Sequence, residues 1–197
     1  MDPAGRLQRL LERIDALNAE DPNTDVVDGR PHPRELLYAQ RLSAWVLRLK
    51  PDASDALRIA SRGQHVRRWT IPRDRYPRTR GGYLRWRETL KTFHAEEVAR
   101  LMQEAGCPDP DIQRVRTLIL KKAAPGDSEA QALEDALCLV FLETQFADLR
   151  RKTPEEKMLD VLRKTWKKMG AAGRAEALKL PLGAPEQALL ARALKDR

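Results

Sequence analysis

His65 and His94 each stand beside an apolar helical stripe. His94 falls one turn after Leu90 and one turn before Val98, with Glu97 three positions further on, so an imidazole and a carboxylate can meet at one point of a helix. Such a pair suits a metal ion, and it equally suits a core histidine satisfied by a hydrogen bond. His65 follows Gln64 beyond Leu57 and Ala60. Two adjacent polar side chains on a packable face need partners there, since an unpaired buried polar group costs about 1–3 kcal/mol. Glu35 opens a helix, where an acid complements the positive end of the helix dipole. Glu134, Asp135 and Glu143 place carboxylates on the most apolar helix of the chain. Asp135 and Glu143 are separated by roughly 12 Å along that helix, at about 1.5 Å per residue, so one of them and not both can join a single site. His65 and His94 are expected on neighbouring helices with their rings facing a common cavity.

Between the two histidines runs RGQHVRRWTIPRDRYPRTRGGYLRWRETLK, residues 62–91, in which only Asp74 and Glu88 oppose a dense set of arginines. The chain has 37 Lys and Arg against 29 Asp and Glu, a formal net charge of +8, and this one segment supplies the whole excess. A concentrated basic patch implies a local anionic partner, whereas evenly spread charge implies only solubility. Arg68, Arg73 and Arg80 are placed to neutralise phosphate, with Gln64 nearby. Trp69 and Tyr76 offer aromatic faces on which bases stack. Two partner classes follow: a phosphorylated small molecule or nucleotide, and alternatively RNA held by the 62–91 loop without catalysis. Tyr83 and Trp86 fall on the core stripe of the following helix, which also allows the arginines to be a solvated face. Glycine-rich phosphate loops and Ser/His/Asp nucleophile patterns are absent.

The elements that must position these residues are helical from end to end. Leu7, Leu10, Leu11, Ile14 and Leu17 form the stripe of a first helix that opens at Asp2-Pro3. DPNTDVVDGRPHP reads as a loop. A second helix begins near Arg34, with Leu37, Trp45 and Leu49 on an inner face that Leu42 also approaches. Ser54 or Asp52 caps a third that carries Leu57, Ala60, Gln64 and His65. A fourth follows Gly81-Gly82 and ends at Gly106; a fifth starts at Asp109-Pro110. The sixth starts at Ser128 and carries its helical pattern on through ETQFADL. Thr153-Pro154-Glu155-Glu156 reads as a capping box for another helix, and a short C-terminal helix follows Gly183.

At 197 residues the chain suits one domain with a real core. The longest apolar run, residues 136–142, is far too short to span a bilayer. Cys107 and Cys138, without a CxxC pattern, suggest neither a disulfide framework nor a cysteine metal site, so a reducing cytoplasm is expected.

The strings RGQHVRRW, YP followed by GGYLRWR, LEDALCLVFLE and LRKTWKKM resemble those of an uncharacterised bacterial and fungal family known as a domain of unknown function. The likeness covers about residues 17–169 and leaves residues 170–197 as a helical extension. More distantly, the layout is similar to the HD superfamily of metal-dependent phosphohydrolases, helical bundles whose ligands come from successive helices. That likeness implies an HD-like all-α bundle in which Glu35 stands in place of the first histidine. Gln64-His65 stands for the His-Asp pair, His94 for a later histidine, and Asp135 or Glu143 for the final aspartate. It also implies one divalent metal, Mn, Fe, Ni or Zn, that polarises a phosphoryl oxygen and activates water. The contiguous His-Asp pair itself is missing from this sequence.

Overall fold

The computed structural model describes residues 3–195. Helix α1 (Pro3–Ala19) buries Leu7, Leu10 and Ile14 as its spacing predicts; Asp2, expected to open it, lies outside the described residues. The stretch expected as a loop contains a small antiparallel hairpin, β1 (Thr24–Val27) and β2 (Arg30–Pro33), in register Thr24 to Pro33 and Val27 to Arg30. Its turn is Asp28-Gly29, with φ of 51° and 74°. Asp-Gly is the pair that tolerates positive φ at both central positions of a tight turn. Each strand has only four residues, and the two prolines of β2 blur its pattern.

Asp21 ties this hairpin to the next helix. Its Oδ1 accepts from the Asn23 backbone at 2.9 Å and its Oδ2 from the Glu35 backbone at 3.1 Å. Helix α2 (Arg34–Leu49) is thereby fixed at its first turn, and it buries Glu35, Ala39, Leu42, Trp45 and Val46. Leu42 and Trp45 are buried as expected, whereas Leu37 and Leu49 are only half-buried, the inner face being rotated toward Glu35, whose carboxylate occupies the interior at the helix start.

Ser54 caps α3 (Asp55–Gly63), accepting from the Leu57 backbone at 3.2 Å. A Cβ on Gly63 would stand 2.3 Å from Val98 Cγ2, so the end of α3 packs directly on α4 (Arg80–Glu104). Between them, two short 3-10 turns, Arg68–Thr70 and Arg73–Arg75, fold the arginine segment onto itself. Trp86 Nε1 donates to the Ile71 carbonyl at 2.9 Å, and Arg73 donates to the Tyr76 and Pro77 carbonyls, each at 2.8 Å. Tyr83 and Trp86, expected in the core, are 43% exposed and half-buried respectively. They serve the loop, with the Arg68 guanidinium 4.7 Å and the Arg73 guanidinium 5.9 Å from the Trp86 ring.

Helix α5 (Asp109–Ile119) leads to α6 (Ser128–Thr144), capped by Asp127 and buried through Leu133, Ala136, Leu139, Val140 and Leu142. The helical pattern predicted to continue breaks at Gln145, whose φ of −120° leaves the α region, and α7 (Phe146–Arg151) turns Phe146 fully into the core. Helix α8 (Glu155–Lys168) starts after Pro154 with no side-chain cap, so the expected Thr153 capping box does not form. Two further helices, α9 (Ala171–Ala177) and α10 (Ala184–Lys195), complete the chain. Buried apolar side chains from Leu7 to Ala193 join one cluster, so the extension packs on the core rather than trailing from it. The fold is all-α apart from the hairpin. No helix among the described residues is long and apolar enough to cross a membrane.

Two stability outcomes follow. Asp135 on α6 accepts from the Gly170 and Gly173 backbone at 2.8 and 3.2 Å, holding the start of α9 from a distance. Asp135→Ala should cost about 1–3 kcal/mol in chemical denaturation, through buried N–H groups left without an acceptor. Arg73→Ala should lower the melting temperature measurably while Arg78→Ala, at an exposed position, should leave it within error; equal behaviour of the two would mean that Arg73 does not staple the loop.

Candidate functional site

Glu35 and His65 come from different elements and meet inside the protein. Glu35 sits in the first turn of α2; His65 lies in the turn just after α3. His65 Nδ1 is 3.0 Å from Glu35 Oε2, with side-chain exposures of 20% and 10%. Tyr38, one turn beyond Glu35, stacks flat on the His65 ring at 3.9 Å, with 9° between the planes. On the other side the His94 ring centroid lies 5.8 Å from that of His65. The two imidazoles are neighbours, but not in the expected way: His65 lies in the turn beyond α3 rather than on the helix, and only His65 faces the cleft, His94 being buried behind it.

The two rings have different roles. His94 Nδ1 is 2.9 Å from the Val66 carbonyl, which can only accept, so Nδ1 carries the hydrogen and Nε2 is left as a buried acceptor with no partner. Burial, then the nearby His65, holds His94 well below the usual histidine range. Burial, then Arg68 and Arg87, does the same to His65. Both rings are neutral at neutral pH. Glu35 moves the opposite way: burial, opposed by Arg68 and reinforced by Asp21, pushes it up to about 7. The 3.0 Å contact then has two forms. With Glu35 protonated, the carboxyl donates to Nδ1 and His65 carries its hydrogen on Nε2. With Glu35 ionised, Nδ1–H donates to the carboxylate and Nε2 becomes a free acceptor. The pair therefore exchanges a donor for an acceptor near neutrality.

This pair lies in the wall of a cleft of about 960 Å³, within the range of ligand pockets. Arg34, Arg41, Arg68, Arg87, Lys91 and Lys121 converge on it, joined at the rim by Lys152 and Lys168. Several are neutralised: Arg34 by Asp25 at 2.9 Å, Lys91 by Glu88 at 2.5 Å, and Lys121 by Glu134. Arg68 is 3.7 Å from Glu35. Arg41 and Arg87 form no ion pair among the described residues. Gln64 also lines the cleft, and its Oε1 is buried without a partner.

The residues singled out in the sequence divide sharply. Glu35, Gln64, His65, Arg68 and Glu143 line the cleft, and His94 stands directly behind His65. Glu143 Oε2 accepts from Trp45 Nε1 at 3.0 Å. Asp135 is turned away, bound by Gln131 and by the α9 backbone. Glu97 meets Arg100 at 3.2 Å rather than His94. Arg73 is occupied by loop carbonyls, Arg80 is exposed at the start of α4, and neither lines the cleft; nor do Trp69 and Tyr76. Tyr38, Arg41, Arg87 and Lys121 are among the cleft residues that spacing did not single out. Tyr38 and Arg41 were legible only once the inner face of α2 was known to begin at Glu35.

Of the five candidate metal ligands, Glu35, His65 and His94 lie side by side, Glu143 lines the same cleft, and Asp135 lies elsewhere. Glu35 and His65 are bonded to each other, Asp135 belongs to α9, and among the described residues no three His, Cys, Asp or Glu side chains converge on one point. Cys138 at the cleft wall has its thiol pushed up to about 12 by burial, so it is protonated at neutral pH and is no nucleophile there.

A family model described as a domain of unknown function, DUF4202, matches residues 8–190, more of the chain than the motifs indicated. No curated protein and no solved structure matches the chain.

The Glu35 proton gives a pH test. A raised native value means that the folded protein holds this proton more tightly than the unfolded one, so the stability it brings is complete below about 4.5 and is lost as the pH rises through about 7. Ionising the group in place costs on the order of 3 kcal/mol, at roughly 1.4 kcal/mol per pH unit. The melting temperature of Glu35→Gln should therefore gain on that of the wild type between about pH 5 and 8. A difference that stays constant across that interval would mean that Glu35 titrates normally.

Proposed function

The chain belongs to the family described as a domain of unknown function, DUF4202, and we propose that it binds a phosphorylated small molecule or nucleotide in the cleft between α2, α4 and α6. One observation carries this reading: two arginines without carboxylate partners, Arg41 and Arg87, face the same cleft as the Glu35–His65 pair. A guanidinium with no counter-ion in a concave wall focuses positive potential and offers paired N–H donors to phosphate oxygens. Arg68, held against Trp86, adds a third guanidinium already fixed in place. Free phosphate needs little else, but the neutral His65 and the stacked Tyr38 give a ligand's organic part a polar and an apolar contact.

Hydrolysis of a phosphoester is the catalytic extension of the same reading. With Glu35 ionised, His65 Nε2 accepts a proton from water as the water oxygen bonds to phosphorus and the P–O ester bond breaks; the imidazolium, oriented and charge-balanced by Glu35, then returns that proton to the departing alkoxide oxygen. Arginines supply the phosphate neutralisation, to which a divalent metal at Glu35 and His65 would add. Cys107 and Cys138 are both free thiols, in keeping with a cytoplasmic setting.

The test is calorimetric binding of adenosine 5′-monophosphate and of inorganic phosphate to the purified protein. Arg41→Ser with Arg87→Ser should weaken saturable binding by at least about tenfold, since one charge-assisted hydrogen bond is worth about 1.5–3 kcal/mol, with the melting temperature unchanged. If adenosine 5′-monophosphate binds, any turnover should rise as the pH passes above about 7, following ionisation of Glu35, which the bound phosphate delays. Full affinity in the double variant, or no saturable binding at all, would sink the proposal.

A further inference from the structure

The exposed start of α4 and the loop before it contain cations that the cleft does not use. Arg75, Arg78, Arg80 and Arg85 are exposed and form no ion pair among the described residues. On a helix with 100° between residues, Arg80, Leu84, Arg87 and Lys91 fall on one face. Arg80 is outside the cleft, whereas Arg87 and Lys91 line it. The face thus runs from open solvent into the pocket over about 16 Å, at about 1.5 Å per residue. Beside it Tyr83 is 43% and Leu84 56% exposed, and Arg75 and Arg78 extend the positive potential back along the loop. One phosphate group cannot use a track of that length. A chain of phosphates can, and the exposed Tyr83 ring is a surface for a base to stack on.

Resting on the phosphate-cleft reading, we propose that the ligand is the terminal nucleotide of a single-stranded nucleic acid. Its backbone runs along the Arg75–Arg78–Arg80 side of α4 and its end enters the cleft beside Arg87 and His65. Arginine rather than lysine along the outer track favours paired contacts to phosphate. A membrane surface is the poorer fit, because Leu84 is one isolated apolar side chain on this face.

The experiment compares adenosine 5′-monophosphate with a 5′-phosphorylated oligoadenylate of about ten residues, a length within the usual site sizes, on the full chain. The oligonucleotide should bind at least about tenfold more tightly, with an affinity that falls steeply with salt, because each neutralised phosphate of a single strand contributes about −0.7 to the logarithmic slope. Arg75→Ser, Arg78→Ser and Arg80→Ser together should remove that advantage and flatten the slope by about 2, while leaving mononucleotide binding unchanged. Lys157→Ser, Lys164→Ser and Lys167→Ser on α8 lower the net charge equally and should change neither probe. Mononucleotide binding with no gain for the oligonucleotide, or equal losses in the two triple variants, overturns the track and leaves the cleft reading intact. Failure of mononucleotide binding in the wild type overturns the cleft reading itself. Anionic phosphatidylserine vesicles that bind through the same three arginines, where the oligonucleotide does not, would assign the face to membrane and overturn the proposal.

Discussion

A carboxylate and two imidazoles are buried where α2, the turn after α3 and α4 meet, and each needs a partner that only the other elements can supply. Glu35 receives His65, His94 holds the Val66 carbonyl, and the Glu35 backbone is held by Asp21 from the loop before the hairpin. An unpaired polar group in that position costs about 1–3 kcal/mol, so the orientation of α2 is set less by its leucines than by Glu35. This explains why its inner face is rotated. It also explains the need for a side-chain-free contact at Gly63, where α3 must come close enough to α4 for the turn after it to carry His65 beside His94.

The arginines of residues 62–91 do two kinds of work, and their neighbours separate them. Arg68 and Arg73 face Trp86, Tyr83 and the loop carbonyls, where a planar cation replaces apolar packing in a segment that has no helix of its own. Arg75, Arg78, Arg80, Arg85 and Arg87 have no carboxylate within reach among the described residues. Leaving so many like charges unpaired on one side opposes folding slightly and does nothing for packing. The proposed anionic ligand gives that arrangement a use.

Helix positions were legible in the sequence because a 3.6-residue apolar period survives local irregularity: α4 and α6 lie where Leu90, Val98 and Leu101, and Ala136 to Leu142, place them. Periodicity also placed His94 on the inner face of α4, but it read His65 as helical when that residue lies in the turn after α3. What periodicity could not show was any choice made by a polar group. Asp135 sits on an apolar helix in a position that suits a ligand, yet it faces α9, an element too short and too alanine-rich to announce itself. Thr153 has the spacing of a cap, but the Pro154 backbone takes the boundary instead. The Asp28-Gly29 turn was readable from its dipeptide, and it was masked by the prolines that surround it.

The buried pair also links charge in the cleft to protons. Glu35 ionises near 7 because burial opposes its charge, with Arg68 pulling the other way. An entering phosphate adds negative charge close by and masks the arginines, and both effects favour the protonated carboxyl. His65 then carries its hydrogen on Nε2 and offers it to an anionic oxygen. When the anion leaves, Glu35 can ionise and the same nitrogen becomes an acceptor. On the proposed reading, the ligand thus selects the protonation state that binds it, and the cost of burying Glu35 is what keeps the two states close enough in energy for a ligand to choose between them.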